Sequence, residues 1–145
     1  MGQGENAMSM MRMLVLATTG MALAACSAMQ MYEVEGATKL SGRPLKDFIE
    51  AVTLEVKNPQ GQDLKAYLGV DGPAWAQLGE TKDTGTWKLS ADSQWVCVTW
   101  KTLREGKENC YSVLRNREAI RLFNAAGDAF YVGTFKKGDV HRLAG

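Results

Sequence analysis

Few residues of this chain belong to the types that perform covalent or metal-dependent chemistry. The 145-residue chain has three cysteines, Cys26, Cys97 and Cys110, and a single histidine, His141. A serine, threonine or cysteine nucleophile needs a general base within hydrogen-bond distance, and a zinc site needs four protein ligands, or three and a water molecule. One imidazole excludes any site that requires two histidines, and no pair of carboxylates stands out. We therefore predict a protein that is not an enzyme and has no metal site and no cofactor.

The charge balance and composition exclude two further classes of protein. The chain has 17 Lys and Arg against 16 Asp and Glu, a formal net charge of +1, whereas nucleic-acid-binding proteins usually carry a basic excess or stripe. The apolar fraction of 46% with 23% charged residues is that of a globular chain rather than a disordered one. We expect one folded domain and no nucleic-acid partner.

Cys26 ends an N-terminal segment that resembles the signal peptide of a bacterial lipoprotein. Arg12 is followed by an uncharged stretch over residues 14–25, which is too short to cross a hydrocarbon core of about 30 Å and has the length of a signal-peptide core. Residues 23–26 read Leu-Ala-Ala-Cys, which resembles the lipobox. The resemblance implies that residues 1–25 are removed and that Cys26 becomes the acylated (palmitate-bearing) first residue of the mature chain.

The residues after Cys26 indicate where such a lipoprotein would reside. Ser27 stands where an aspartate would favour retention in the inner membrane of enteric bacteria. The resemblance thus implies an outer-membrane lipoprotein of the cell envelope whose domain faces the periplasm, with exposure on the cell surface as the alternative orientation. Residues 26–39 are polar and lack a clear period, which indicates a flexible tether. Residues 40–145 are expected to form the single β-rich domain.

This domain opens with the pattern of one short helix. Ser41 or Gly42 can cap it, and Pro44 suits its first turn. Apolar residues then recur at helical spacing. They are Leu45, Phe48, Ile49 and Val52.

The rest of the domain alternates with the period of β-strands. Turn signals separate seven or eight short segments at roughly 8–12-residue spacing, a pattern that predicts a small antiparallel barrel or sandwich. The expected strands cover residues 53–57, 63–68, 75–78, 86–90, 95–101, 110–115, 118–123 and 129–135, with a last edge strand at 140–143.

Cys97 and Cys110 fall on the two strands of a predicted hairpin, where a disulfide is the expected state. Export would place both thiols in an oxidising compartment. A redox-active pair usually has Cys-x-x-Cys spacing beside a helix N-terminus, and a metal site would lack ligands. A bond between the two would stabilise the fold by about 3 kcal/mol in the chain-entropy model.

The residues expected to contact a partner lie on and beside this hairpin. Trp95 and Trp100 are an odd number of positions apart, so an undistorted strand would place them on opposite faces of the sheet and expose at least one of them. The loop that follows, residues 101–109, is the longest polar hairpin loop, and it carries Arg104 and Lys107. We predict these four residues as contact residues, with a protein of the envelope as the partner.

The domain as a whole resembles a family of small exported proteobacterial domains of unknown function, often found in lipoproteins. The motifs that carry the resemblance are Leu-Ser-Gly at 40–42, Gly-Thr-Trp at 85–87, Cys-Val-Thr-Trp at 97–100, Cys-Tyr at 110–111 and a glycine-containing final hairpin through Gly127 and Gly138. This resemblance implies no activity.

A weaker similarity is to periplasmic metalloprotease inhibitors of the Inh type, through the Gly-x-Trp segment and one disulfide. It implies a small eight-stranded barrel. In those inhibitors a short segment before the barrel enters the protease cleft, whereas here the equivalent segment is helical and tied to the lipid.

The sequence therefore supports one main hypothesis and two alternatives. The main hypothesis is a non-enzymatic binding or assembly module, held at the membrane by the lipid on Cys26. The first alternative is a periplasmic inhibitor of a protease or lysozyme. The second is a small barrel that carries a hydrophobic ligand such as a lipid or haem.

Overall fold

The computed structural model describes residues 36–145. Cys26, the signal peptide and most of the predicted tether lie outside this range. The described part contains nine strands, one α-helix and one 3₁₀ turn. In chain order they are β1 (Thr38–Leu40), α1 (Gly42–Ile49), β2 (Val52–Lys57), β3 (Asp63–Leu68), β4 (Pro73–Leu78), β5 (Thr81–Leu89), β6 (Val96–Trp100), the 3₁₀ turn Leu103–Gly106, β7 (Glu108–Asn116), β8 (Ala119–Phe123) and β9 (Ala129–Lys137).

Strands β2 to β9 form a closed antiparallel barrel. Each strand pairs with its neighbour in sequence, β7 pairs with β8, and β9 returns to pair with β2 over six residues, so that the sheet has no open ends among these eight strands. The mainly β fold with one short helix is thus confirmed, and of the two predicted architectures the barrel is the observed one. Strand β1 pairs with the second half of β7.

Two glycines allow neighbouring strands to approach closely in the barrel wall. A β-carbon at Gly85 would collide with the carbonyl oxygen of Thr99 on β6, and one at Gly133 would collide with that of Glu55 on β2. Glycine at such points lets a strand bend sharply, as closure of a small barrel requires.

Helix α1 packs its apolar stripe onto the barrel core. Leu45, Phe48 and Ile49 are at most 4% exposed, which supplies the tertiary packing that an eight-residue helix needs to persist. The Lys137 ammonium, at the end of β9, donates to the carbonyl oxygens of Asp47 and Phe48 at 2.6 and 2.7 Å. A cation at this position satisfies carbonyls that the helix C-terminus leaves unpaired. Burial, followed by the neighbouring Arg115, lowers the pKa of Lys137.

Most strand bounds differ from the sequence prediction by one or two residues, and three differences are larger or change an element. Strand β1 begins at Thr38, inside the segment predicted as tether. Strand β5 begins at Thr81 rather than at residue 86, because the segment predicted as a turn pairs with β4. The predicted edge strand at 140–143 is wrong. Those residues form turns, because the Asp139 carboxylate accepts the N–H of Leu143 and the Thr53 hydroxyl accepts that of Val140.

The connections lie at two ends of the barrel. One end carries the turns at residues 58–62, 79–80, 101–107 and 124–128, and we call it the mouth. The opposite end carries α1, the loops at 69–72 and 90–95, and the turn at 117–118 between β7 and β8. Strand β1 also starts there, because Thr38 pairs with Arg115 near the end of β7. Within residues 36–145, no helix has the length and hydropathy needed to cross a membrane.

Candidate functional site

The predicted disulfide is present on the outer wall of the barrel. Cys97 on β6 and Cys110 on β7 are directly opposite in the strand register, and their sulfurs are bonded. Beside them, Lys88 and Glu108 form an ion pair at 3.0 Å. Because each sulfur is bonded to the other, neither is a thiolate available to a metal, and the pair fastens the strands on either side of the mouth loop.

The four predicted contact residues are not all brought together. Arg104 and Lys107 lie on the loop at residues 101–107, which we call the mouth loop. Trp100 precedes that loop but is only 8% exposed and belongs to the barrel core. Trp95 lies at the opposite end, half-buried, with the Lys39 ammonium 5.4 Å from the centre of its ring. The mouth therefore holds Arg104, Lys107 and, beneath them, Trp100.

A buried carboxylate holds the mouth loop in place. Asp83 on β5 is 7% exposed, and it accepts hydrogen bonds from the backbone N–H groups of Thr84, Thr102 and Leu103 at 2.8, 2.9 and 2.7 Å. Burial raises the pKa of Asp83, but the N–H donors of Leu103, Thr102 and Thr84 outweigh it and lower the pKa overall. Several N–H donors to an ionised carboxylate compensate for the free-energy cost of removing its charge from water.

The loop that Asp83 holds contains two strained residues in succession. Arg104 and Glu105 have φ of 56° and 60°, in the left-handed region that costs a non-glycine residue about 1 kcal/mol or more. Lys107 is paired with Glu105 at 2.8 Å. The guanidinium of Arg104 lies over the ring of Phe130, 4.5 Å from its centre. Strain of this kind persists only when the surroundings fix the backbone, and here the Asp83 carboxylate holds the two residues directly before it, Thr102 and Leu103.

An aromatic cluster lies below the loop. Phe130 is 5.7 Å from Tyr111 and 5.2 Å from Tyr131, measured between ring centres. Tyr111 and Tyr131 are both buried and meet edge to face at 5.5 Å. Burial, and then the charge and hydrogen bond of the Tyr131 side chain, raise the pKa of Tyr111.

A small recess opens between this cluster and the loop. Its volume is about 110 Å³, and Leu64, Leu78, Trp100, Leu103 and Arg104 are among the residues that line it. We call it the mouth recess. It is largely apolar apart from the guanidinium and the polar turn at residues 58–60 that forms its rim.

A larger groove of about 710 Å³ runs along the outer wall of β9, β2, β3 and β4. It is open to solvent, and the Lys57 and Asp63 side chains on its wall already pair with each other at 2.6 Å. No strained backbone residue and no buried charged side chain lines it among residues 36–145. The mouth is therefore the stronger candidate for a built site.

His141, the single imidazole, lies on the outer wall and not at the mouth. Its Nε2 is 2.5 Å from a carboxylate oxygen of Glu55, and Lys136 approaches the same oxygen at 3.5 Å. The hydrogen bond from His141 lowers the pKa of Glu55 despite partial burial. This contact fastens the C-terminal segment to β2.

Sequence reasoning missed two residues of the mouth. Asp83 was predicted as a turn residue, since it stands next to Lys82 and Thr84 in a polar segment. Strand alternation could have indicated that Asp83 faces inward. Once the strand is extended to Thr81, Asp83 lies on the same face as Trp87 and Leu89. Phe130 was placed on a strand, but nothing local indicated that Arg104 would cover it.

Comparison of the chain with protein-family models found no match, and comparison with curated proteins and with solved structures found none.

Proposed function

We propose that the chain is a non-enzymatic binding module of the cell envelope, anchored through lipid on Cys26, which contacts a protein partner with the mouth of its barrel. The observation that carries this proposal is the mouth loop. The buried Asp83 carboxylate holds the start of the loop at Thr102 and Leu103, directly before the left-handed residues Arg104 and Glu105, so the path of the loop backbone is restricted before any partner binds. Preorganisation of this kind lowers the entropic cost of association.

The position of β1 supports display of the mouth away from the anchor. Strand β1 starts at the end of the barrel opposite the mouth, with Thr38 across from Arg115. A lipid on Cys26 would therefore hold the barrel by its far end. Eleven residues lie between Cys26 and Thr38 in the sequence. This length of chain spans up to about 40 Å when extended, enough to let the mouth face a partner in the envelope.

The filled interior favours this function over a carrier of large hydrophobic ligands. Buried side chains from α1 and from the barrel strands form one continuous core. Pockets for drug-sized ligands usually measure about 300–1,000 Å³, whereas the mouth recess has about 110 Å³. The groove of about 710 Å³ is in that range, but it lies open on the outer wall and is lined by charged side chains such as Lys57 and Asp63. A lipid or haem would have to displace core side chains to enter.

An inhibitor of a secreted hydrolase is the second candidate, and the same loop favours it. A loop whose conformation is fixed before binding can occupy an enzyme cleft at low entropic cost. The segment before the barrel is less suited to that role, because α1 buries Leu45, Phe48 and Ile49 against the core.

Capture of the partner from the native envelope tests the proposal. The lipidated protein, crosslinked in its own cells, is purified in three forms: wild type, the double variant Arg104→Glu/Lys107→Glu, and Arg117→Glu at the opposite end of the barrel. We expect wild type and Arg117→Glu to retain the same partner and the mouth variant to lose it. Retention by the mouth variant, or loss with Arg117→Glu alone, would contradict the assignment of the mouth.

The anchor is tested separately with Cys26→Ala. We expect the variant protein to leave the membrane fraction and appear in the soluble fraction. A membrane-bound Cys26→Ala protein would show that Cys26 is not the anchor. The captured partner is also assayed for hydrolase activity. If it is a protease or lysozyme and the purified protein lowers its activity, the inhibitor function replaces the assembly function.

A further inference from the structure

The Arg104 guanidinium at the rim of the mouth recess has spare capacity to bind an anion. Of its five N–H donors, the contacts within residues 36–145 account for one, from Nη2 to the side-chain oxygen of Asn109 at 3.3 Å. Across that same range no carboxylate lies within 4.0 Å of it. Its Cζ lies 4.5 Å from the centre of the Phe130 ring, and a guanidinium can form planar, bidentate hydrogen bonds with a carboxylate through its N–H groups.

The recess beside this guanidinium suits a small apolar group. Leucine and tryptophan side chains, Leu64, Leu78, Trp100 and Leu103, form its walls. A cavity of about 150 Å³ holds a benzene ring, so a recess of about 110 Å³ takes a group somewhat smaller than that ring. A short branched alkyl chain has that size.

The strained loop links these two features. Arg104 and the following Glu105 both have left-handed φ. The Asp83 carboxylate holds the backbone directly before them, through the N–H groups of Thr102 and Leu103. The strained backbone thus lies at the point where the Arg104 guanidinium borders the apolar recess. Residues with strained backbone conformations cluster at ligand-binding and active sites.

We propose that the mouth recess binds a carboxylate carried on a small apolar group, with the alkyl part between Trp100, Leu103 and Leu78 and the carboxylate paired with Arg104. Two sources have this chemistry: a free short branched carboxylic acid, and the C-terminal residue of a peptide chain. The second source deepens the proposed function and rests on it, since the peptide would belong to the partner.

Titration of the purified full-length protein, followed by amide NMR shifts, tests the proposal. The ligands are isovalerate, its neutral counterpart isovaleramide, acetate, and N-acetylglycylleucine with and without a C-terminal amide. We expect isovalerate to shift the amides of Leu103, Arg104 and Phe130 saturably, with a Kd on the order of 1 mM, as expected for so few atoms. Isovaleramide and acetate should bind at least about tenfold more weakly, because each lacks one of the two recognised groups.

Variants separate recognition by Arg104 from general attraction of anions. Arg104→Gln should weaken isovalerate binding at least about tenfold, which corresponds to 1.4 kcal/mol. Arg104→Lys should bind with intermediate affinity, because it keeps the charge but loses the bidentate geometry. The control Arg117→Gln, at the opposite end of the barrel, should bind as wild type does. Unchanged amide dispersion outside the mouth establishes that each variant is folded.

The peptide arm identifies the source of the carboxylate. Tighter binding of N-acetylglycylleucine than of isovalerate assigns a chain terminus, and weaker binding assigns a free acid. Equal binding of isovalerate and isovaleramide, or shifts centred away from the mouth, would overturn the proposal, as would the absence of saturable shifts. Because these ligands are added directly, such a failure is distinct from failure to capture a protein partner.

Discussion

Replacement of Asp83 by asparagine tests the carboxylate that holds the mouth loop. Asparagine has nearly the same shape, so the change creates no cavity. It replaces an ionised acceptor of three backbone N–H groups, those of Thr84, Thr102 and Leu103, with a neutral amide that has one acceptor oxygen. The amide nitrogen, itself a donor, then faces at least one backbone N–H without a partner.

The expected loss follows from the difference between charged and neutral hydrogen bonds. A bond to a charged group contributes about 1.5–3 kcal/mol, and a neutral one about 0.5–1.5 kcal/mol. The difference, about 1 kcal/mol per hydrogen bond, sums to about 3 kcal/mol over the three bonds. The variant no longer buries a charge, and this gain offsets part of the loss. We therefore expect Asp83→Asn to lower the free energy of unfolding by about 2–3 kcal/mol, and the melting temperature by roughly 10 °C for a domain of this size.

The loss should depend on pH, because it comes from an ionised group. Burial raises the pKa of Asp83, yet the N–H donors lower it overall from the ordinary value of 3.8. A carboxylate with a lowered folded-state pKa stabilises the fold above its unfolded-state pKa, and this contribution disappears as the pH falls through the folded-state value. The gap between wild type and Asp83→Asn should be full at pH 6–7 and should shrink once the pH falls below about 4.

Urea denaturation at a series of pH values from 7 to 2.5 measures both effects. Amide hydrogen exchange at Thr102 and Leu103 should also accelerate in the variant. The matched control is Asp71→Asn, because Asp71 is exposed in a turn at the opposite end of the barrel. If Asp83→Asn unfolds at the same urea concentration as wild type at pH 7, or if the gap stays constant with pH, the carboxylate does not hold the loop.

Three further perturbations probe the scaffold that positions the mouth. Replacing both Cys97 and Cys110 by alanine should lower the free energy of unfolding by about 3 kcal/mol, since their bond spans 13 residues of sequence; an unchanged urea midpoint would contradict this. Lys137→Met should cost about 1–2 kcal/mol in thermal unfolding, because the C-terminal carbonyls of α1 lose a cation, whereas Lys136→Met should change little. Gly133→Ala should reduce the yield of folded protein or cost several kcal/mol, because its β-carbon would collide with the Glu55 carbonyl; a stable Gly133→Ala barrel would show that β2 and β9 can move apart.

Strands were predictable where a local pattern alone decides structure. Strand β3 was predicted with its observed bounds, because the alternation runs from Asp63 to Leu68 between two turn signals. Cys97 and Cys110 could be paired from the same alternation, since one hairpin brings them opposite. From Thr81 to Thr84, polar residues occupy both faces of β5, so the alternation of apolar and polar residues is lost. The predicted strand therefore begins only at residue 86.

The mouth could be predicted only in part, because it is made by non-local contacts. The loop that carries Arg104 and Lys107 was recognisable from its length and polarity. Its contact with Phe130, 26 positions further along the chain, depends on barrel closure, because β8 pairs with β7 on one side and with β9, which carries Phe130, on the other. Asp83 likewise lies 19 positions before Thr102, whose N–H it accepts. Contacts between such distant residues depend on which strands are neighbours. A barrel and a sandwich place different strands side by side, and the sequence did not decide between them.

Site-specific photocrosslinking in the native envelope tests most directly whether the mouth contacts a partner. p-Benzoylphenylalanine is placed at position 107 in the mouth loop, or at position 71 at the opposite end, in otherwise intact lipidated protein. We expect one discrete protein adduct from position 107 and none of that mass from position 71. An adduct from position 71 alone, or none from position 107 in cells where the protein is correctly localised, would contradict it.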